Sequence, residues 1–139
     1  MILPVLSCQQ QEEESGPEPY TNTGEASFYG RGFQGQKTAD GSRFNKDSLT
    51  AAHLYLPFGT VVKVDNLETN KSVDVTITDR GPYSGDRLID LSRAAADSLG
   101  MVEDGTAEVR ITIMEAAEGY TVADSVAEDR REELIKREN

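Results

Sequence analysis

The chain has 139 residues, which is enough for one domain with a single core but not for two. Its 25 acidic and 14 basic residues give a net charge of −11, which argues against a nucleic-acid partner because phosphate backbones select basic surfaces. A single cysteine excludes an internal disulfide, and one cysteine with one histidine argues against a zinc site. No apolar run is long enough to cross a bilayer as a helix.

The first residues have the composition expected at the start of an anchored protein. Residues 1–8, MILPVLSC, form a short apolar run that ends in a small residue and Cys8, like a truncated bacterial lipoprotein signal. Residues 9–23 are rich in Gln, Glu, Gly and Pro, which predicts a disordered tether. We therefore expect lipidation of Cys8 and a membrane anchor. The alternative is a frayed start with an idle cysteine.

Residues 24–115 contain the alternating patterns of a β domain. Apolar residues recur at every second position in the runs 60–67, 71–79 and 107–115, so each run has one apolar face. Shorter runs at 25–30 and 87–91 also have strand composition, and Glu-Thr-Asn at 68–70 predicts a hairpin turn. The residues expected on the inner faces are Val62, Val64, Val73, Val75, Ile77, Val109, Ile111 and Ile113.

Signals for helices are fewer than signals for strands. Ser92 is a suitable N-cap for a short helix over 93–99, and Gly100 is a suitable C-terminal stop. Several short strands with one short helix predict a small closed or partly closed β-barrel. Residues 116–139 are helix-prone but acidic and poor in apolar positions, so we expect an acidic helical or disordered tail outside the core.

Asp79 ends the 71–79 run and is followed by Arg-Gly-Pro-Tyr, a forced turn that leaves room for a ligand. If the strand keeps its pleat to the end, Asp79 points to the same side as Ile77. A carboxyl group at the rim of a core is partly desolvated, which favours its protonated form and suits it to donate a proton to a leaving group. The alternative is a structural role, in which Asp79 pairs with an arginine or caps the turn.

Four further side chains are candidates whose roles the residues alone leave open. His53, the only histidine, follows a short apolar run at 49–52 and must meet a carboxylate across the fold to act in catalysis. Tyr29 and Tyr83 can either stack on a ligand or pack within the fold. Asp90 precedes the capping Ser92, which favours a structural hydrogen bond.

Several ordered motifs resemble the rare lipoprotein A family. They are ASFYG at 26–30, KTADGSRFN at 37–45, LTAAHLYLPFGTVVKVDNL at 49–67 and DRGPYSGDRLIDLSRAAADSLGM at 79–101. The resemblance implies a mainly β fold, a six-stranded double-psi β-barrel with one or two short helices. It also implies endolytic lytic transglycosylase activity, which cuts the peptidoglycan glycan bond between N-acetylmuramic acid and N-acetylglucosamine. The resemblance implies a preference for strands stripped of stem peptides and a reaction without cofactor or metal.

Motif by motif, the resemblance implies catalytic roles for Asp79 in TDRGPY and for His53 in TAAH. We expect substrate binding by neighbouring residues of the same motifs, which are Tyr29, Ser42, Arg80 and Tyr83. Ser42 departs from the family pattern, because enzymatic relatives usually have a glutamate directly after this glycine. Serine cannot replace a carboxylate in proton transfer, and Asp40, two residues away, has a shorter side chain than glutamate.

Two functions of different classes follow from the resemblance. In the first, an enzyme lets the sugar's own 6-hydroxyl attack the anomeric carbon, which gives a 1,6-anhydro end, and one carboxyl group serves first as acid and then as base. In the second, favoured by Ser42, the chain is a non-catalytic, expansin-like glycan-binding module. The expected partners are peptidoglycan strands, division-site envelope proteins and, through the lipid anchor, the outer membrane on its periplasmic face.

Overall fold

The computed structural model describes residues 20–138, with side chains described through residue 131. Two α-helices, α1 (Arg93–Ser98) and α2 (Val122–Glu138), and a short 3-10 turn (Arg31–Phe33) accompany six strands. The strands are β1 (Thr21–Phe28), β2 (Thr50–Ala52), β3 (Val61–Asn66), β4 (Ser72–Asp79), β5 (Ile89–Leu91) and β6 (Ala107–Glu115). In this part of the chain, no helix combines the length and the apolar character needed to span a membrane. Cys8 and residues 9–19 of the expected tether lie outside the described residues.

The six strands close into a barrel in the order β1-β5-β2-β4-β3-β6, with β6 returning to β1. The pairs β1–β5 and β2–β4 are parallel, and the other four neighbouring pairs are antiparallel. Closure removes the unpaired edges that an open sheet would present. The prediction of a mainly β, six-stranded closed barrel is confirmed.

The inner faces of the barrel follow the alternation predicted from the sequence. Along β6, buried residues alternate with exposed ones from Ala107 to Ile113, and β3 and β4 alternate in the same way. Seven of the eight expected inward residues are buried, and Val73 is half-buried against the core. The alternation therefore creates one apolar interior that all six strands share, which leaves the outer face and the barrel ends for polar residues.

The structure confirms the hairpin turn and the helix cap that the sequence predicts. The β3–β4 hairpin turns through Asn70 at φ 63°, and the buried Asn66 donates its side-chain amide to the Leu99 carbonyl at 2.8 Å. Ser92 caps α1 by accepting a hydrogen bond from the Ala95 amide at 3.3 Å, and Gly100 ends the helix at φ 70°. These contacts fix α1 against the barrel.

One boundary and one strand differ from expectation. The tether was expected to run through residue 23, but β1 begins at Thr21 and its first residues pair with β6, so the barrel includes residues 21–23. β2 was not predicted at all, because a three-residue strand offers no measurable alternation. Its central position between β4 and β5 comes from tertiary pairing.

The C-terminal segment is the main correction. We expected a tail outside the core, whereas α2 packs against the barrel, with Ser125 and Asp129 buried and Val126 half-buried against the core. Two of these contact residues are polar, so the apolar periodicity of the segment was too weak to predict the contact. Hydrogen bonds from Tyr20 and Asn22 to Asp129 join α2 to the beginning of β1.

Candidate active site

A register shift at the end of β4 determines where Asp79 points. Ala51 of β2 pairs with Ile77, but the next residue, Ala52, pairs with Asp79, so Thr78 is an extra residue on β4. Such a bulge re-aims the side chains that follow it. The strand therefore does not keep its pleat, and Asp79 lies on the outer face rather than on the side of Ile77, which corrects the sequence expectation.

The same register builds a row of outward residues across four strands. Ala52 pairs with Asp90 of β5, and Asp90 pairs with Ser27 of β1. Paired residues of neighbouring strands share a face, so Asp79, Ala52, Asp90 and Ser27 form one line across the end of the barrel. Two strand spacings separate the backbones of Asp79 and Asp90, which is about 10 Å.

Three hydrogen bonds hold the carboxyl group of Asp79. Oδ1 accepts from the backbone amides of Ala39, at 2.8 Å, and Arg80, at 2.9 Å. Oδ2 accepts from the Tyr29 hydroxyl at 2.6 Å. Gly81, at φ 132° in a region that favours glycine, then turns the chain away from the carboxyl group. The carboxyl group is thus fixed in orientation at the start of an open turn.

Tyr29 is held by aromatic neighbours on two sides. Its ring stacks on Phe44 with centroids 4.5 Å apart and meets the edge of Phe33 at 5.2 Å. Burial raises the pKa of Tyr29, and the hydrogen bond to Asp79 and the Asp79 charge add to that rise. The phenol therefore stays protonated and remains a donor to Asp79 across the physiological range.

Asp79 opens into a cleft of about 570 Å³. Tyr29, Arg80 and Tyr83, three of the expected substrate-binding residues, line this cleft, and the Tyr83 ring is 80% exposed. Phe33 adds a second exposed ring to the wall. A cleft of this size with exposed aromatic faces around a fixed carboxyl group suits a sugar-containing ligand.

Asp90 is a second carboxyl group in the wall of the cleft. It accepts hydrogen bonds from Ser27 and from Arg87, whose Nε lies 3.3 Å from Asp90 Oδ1. The sequence favoured a structural hydrogen bond for Asp90, which these contacts confirm, but its position in the cleft was missed. The signal was present in the alternation of Ile89, Asp90 and Leu91, which turns Asp90 away from the core.

Arg80 lines the cleft but directs its guanidinium group to the protein. Nη1 donates to the carbonyls of His53, at 3.0 Å, and Leu56, at 2.8 Å, and the group lies 3.9 Å from the centroid of the Phe58 ring. Desolvation lowers the pKa of Arg80, although neighbouring acidic groups oppose that shift. These contacts make Arg80 a brace for the 53–56 turn, next to the cleft.

Ser42 is not among the described residues that line the cleft. Its hydroxyl donates to Asp40 Oδ1 at 2.6 Å, and Thr38 donates to the same oxygen at 2.6 Å. Burial alone would raise the pKa of Asp40, but the hydrogen bonds from Ser42 and Thr38 outweigh it and lower that pKa. Ser42 thus stabilises the loop from which Ala39 donates to Asp79.

His53 is buried, with 2% of its surface exposed, and its ring faces a different cavity from Asp79. This smaller cavity, of about 130 Å³, is lined by Asp129 of α2 and by Arg87, which also lines the cleft. The backbone of His53 is closer to the site, since its amide donates to the Asp79 carbonyl at 3.1 Å. The structure therefore brings His53 and Asp79 together through their backbones.

A basic groove continues from the cleft. Tyr29 and Gly30 line both the cleft and a small pocket of about 40 Å³, and this pocket shares Arg31, Lys46 and Arg93 with a groove of about 540 Å³. Arg31, Lys46 and Arg93 line this groove together with Asp97, and Lys46 also pairs with Asp47 at 3.3 Å, so the groove has an excess of positive charge in a chain whose net charge is −11. Sequence reasoning missed this feature because the three cations are far apart along the chain and meet only through the fold.

Comparison with known proteins identifies the family of the barrel. A family model described as lytic transglycolase, of the double-psi β-barrel type, matches residues 21–111. A Campylobacter jejuni protein named endolytic peptidoglycan transglycosylase RlpA is 48% identical over 94 residues, which cover 68% of this chain and 34% of that protein. A Neisseria meningitidis protein of the same name is 45% identical over 106 residues, 76% of this chain and 44% of that protein. This chain spans less than half the length of both relatives.

Solved structures share the fold at low sequence identity. A Streptomyces papain inhibitor superimposes with a TM-score of 0.57 at 20% identity and covers 69% of this chain and 96% of that one. A Clavibacter michiganensis expansin mutant in complex with cellohexaose has a TM-score of 0.57 at 19% identity, over 73% of this chain and 54% of that one. From its closed six-stranded barrel and the family match over residues 21–111, we conclude that the chain belongs to the lytic transglycolase family of double-psi β-barrel proteins, as its rare lipoprotein A motifs predicted.

Proposed function

We propose that the chain is an endolytic peptidoglycan lytic transglycosylase that cuts the glycan between N-acetylmuramic acid and N-acetylglucosamine. The observation that carries the proposal is the orientation of Asp79, a carboxyl group fixed by three hydrogen bonds at the wall of an open cleft. The names of the relatives support the reaction class.

In the proposed reaction, Asp79 acts first as acid and then as base. Its proton passes to the glycosidic oxygen as the bond between that oxygen and the anomeric carbon breaks. The 6-hydroxyl of the muramic acid residue then forms a bond to the anomeric carbon and returns its proton to Asp79. The products are a free 4-hydroxyl and a 1,6-anhydro end, and no water is consumed.

The neighbours of Asp79 have supporting roles in this proposal. Tyr29 holds one carboxyl oxygen, and His53 and Arg80 fix the backbone on either side of the cleft turn. Asp90 places a second carboxyl group in the cleft wall, where its charge favours the positive sugar ring of the transition state. Ser42, which cannot transfer a proton as the usual glutamate does, acts by holding the Asp40 loop in place.

The surface around the cleft supports a peptidoglycan strand as substrate. Muramic acid residues without stem peptides carry free carboxyl groups, and the groove lined by Arg31, Lys46 and Arg93 supplies cations next to the cleft. Tyr83 and Phe33 present exposed rings on which sugar faces can stack. A glycan strand bound across the cleft and the groove would contact the exposed rings of the cleft and the cations of the groove.

We further propose a location in the bacterial cell envelope, with lipidation of Cys8 and an outer-membrane anchor that faces the periplasm. The order of apolar run, cysteine and polar tether supports the anchor. Division-site envelope proteins are the proposed protein partners. Cys8→Ala should release the protein from the membrane fraction, whereas wild-type protein found free of membrane would contradict the anchor.

The activity is tested on purified glycan strands, with and without stem peptides, followed by mass spectrometry of the products. Wild-type protein should yield anhydro-muramic ends, faster on peptide-free strands. Asp79→Asn keeps the shape of the side chain and one accepting oxygen but cannot transfer a proton, so its rate should fall on the order of 10²–10⁴-fold while glycan binding is retained. Wild-type protein that binds strands without producing anhydro ends would instead establish the expansin-like binding module.

A further inference from the structure

The C-terminal helix brings a buried carboxyl group to the only histidine of the chain. Asp129 is 5% exposed, and its Oδ1 lies 3.6 Å from His53 Nε2. Tyr20 and Asn22, at the start of β1, donate hydrogen bonds to its other oxygen. A carboxyl group is costly to bury unless it is paired, so this convergence of three side chains on Asp129 marks a specific contact.

The hydrogen bonds at His53 define which of its two ring nitrogens carries a proton. Nδ1 accepts from the backbone amides of Tyr55, at 3.1 Å, and Leu56, at 3.2 Å, and is therefore unprotonated. The proton of the neutral ring then lies on Nε2, the nitrogen that faces Asp129. The imidazole thus connects α2 on one side with the 53–56 turn on the other.

The 53–56 turn also supports the backbone of the Asp79 site. The His53 amide donates to the Asp79 carbonyl at 3.1 Å, and Arg80 Nη1 donates to the His53 carbonyl at 3.0 Å. Arg80 also bonds the carbonyl of Leu56, so both ends of the turn are tied to the residue that follows Asp79. A shift of the His53 ring is therefore transmitted to the backbone at Asp79 and Arg80.

We propose that Asp129 is a positioning residue for the Asp79 site, so that α2 is a working part of the active site. Asp129 holds His53, His53 holds the turn, and the turn holds Asp79 in the orientation that the reaction needs. This inference rests on the proposed function for its consequence in catalysis. Small displacements of a reacting group are enough to lower a rate, and we expect an effect on the order of 10-fold to 100-fold.

Variants at Asp129 separate this role from general destabilisation. In the full chain, Asp129→Ala removes the carboxyl group that lies 3.6 Å from His53 Nε2, whereas Asp129→Asn keeps a polar side chain of the same shape there and should partly rescue the rate. Asp124→Asn is the matched control, because it removes a carboxyl group from an exposed position at the start of the same helix and leaves a side-chain oxygen that can still accept from the Thr121 amide. If Asp129→Ala does not fold, Tyr20→Phe removes a single donor to Asp129 and serves in its place, with a smaller effect in the same direction.

Two readouts are taken for each variant. Nitrogen-15 spectra of the single imidazole should show the Nε2 proton in wild-type protein and faster solvent exchange in Asp129→Ala, together with shifted amides at Ala39 and Arg80, the two backbone donors to Asp79. On peptide-free strands, kcat should fall about 10-fold or more while KM changes by less than about 3-fold. Asp124→Asn should match wild type in both readouts.

The outcomes separate the inference from the proposed function. If wild-type protein forms no anhydro ends, the proposed function fails, and the spectra alone decide whether Asp129 positions the Asp79 backbone. If Asp129→Ala is folded and leaves the Ala39 and Arg80 amides and kcat unchanged, the inference is overturned. A fall in kcat that Asp124→Asn reproduces equally would also overturn it, since the effect would then belong to the helix as a whole.

Discussion

The carboxyl group of Asp79 accepts hydrogen bonds from Tyr29, Ala39 and Arg80, which belong to three separate segments of the chain. At the scale of single residues, the candidate site therefore depends on how these donors orient the carboxyl group of Asp79. Asp79 was predicted from its position at a strand end before a forced turn. Its donors could not be predicted, because their meeting depends on the bulge at Thr78 and on loops that only the fold brings together.

The hydroxyl of Tyr29 is the first residue-scale test. Tyr29→Phe removes the donor to Asp79 Oδ2 but keeps the stacking on Phe44. We expect a loss of about 1–2 kcal/mol in unfolding free energy and a fall in cleavage rate on the order of 10-fold. Chemical denaturation and product analysis on glycan strands check both values. Tyr120→Phe, at an exposed position, is the control. Equal cleavage rates for the two variants would show that the Tyr29 hydroxyl does not contribute to the reaction.

Asp90→Asn tests the second carboxyl group of the cleft. The substitution keeps an acceptor for Ser27 but loses the charge that pairs with Arg87 and faces the cleft. We expect a cleavage rate between those of wild-type protein and Asp79→Asn, because charge stabilisation assists the reaction but transfers no proton. A rate as low as that of Asp79→Asn would assign proton transfer to Asp90 as well as Asp79, and a wild-type rate would leave Asp90 with a structural role alone.

At the scale of elements, short-range patterns and long-range contacts differ in how well the sequence predicts them. The alternation along β3, β4 and β6 was readable because one face of each strand is buried in the same core. The short strand β2 and the docking of α2 could not be predicted, because both depend on partners distant in sequence. The N-cap at Ser92 was readable since capping is local.

Deleting residues 119–139 tests the docking of α2. The barrel strands all lie before this segment, so the truncated chain should keep its β structure. It should lose about 2 kcal/mol or more of unfolding free energy, because Val126 no longer covers the core and Tyr20 loses Asp129. Denaturation measured by circular dichroism checks this. Ala127→Gln, at an exposed position of α2, should leave stability unchanged; a truncated chain as stable as wild type would mean that α2 does not dock.

The Asp40 loop should respond to acid. The loop lowers the pKa of Asp40 below its ordinary value of 3.8, so its hydrogen bonds favour the ionised form. Their contribution is complete above pH 3.8 and is lost as the pH falls through the lowered pKa. Amide shifts of Ser42 and Ala39, followed by NMR during acidification, should change together below pH 3.8. Asp40→Asn should abolish this transition, and a wild-type loop that stays unchanged in acid would contradict the assignment.

At the scale of the whole molecule, the barrel closes on an apolar interior and leaves one end for polar chemistry. The row of Asp79, Ala52, Asp90 and Ser27, the cleft beside it and the basic groove beyond it lie on a continuous surface. Motifs resembling rare lipoprotein A predicted the fold, and the catalytic role that they imply for Asp79 stays a prediction. They could not predict that His53 faces α2, because the helix follows the matched motifs in sequence.

A lytic cleavage consumes no water, so the origin of the oxygen atoms in the products distinguishes it from hydrolysis. Purified wild-type chain is incubated with peptide-free glycan strands in water enriched in oxygen-18, and the new ends are weighed by mass spectrometry. We expect 1,6-anhydro ends that carry no oxygen-18, in amounts that Asp79→Asn reduces on the order of 10²–10⁴-fold. New reducing ends that contain oxygen-18 would show hydrolysis, and strands that remain uncut would show a binding module; either result would overturn the proposed lytic reaction.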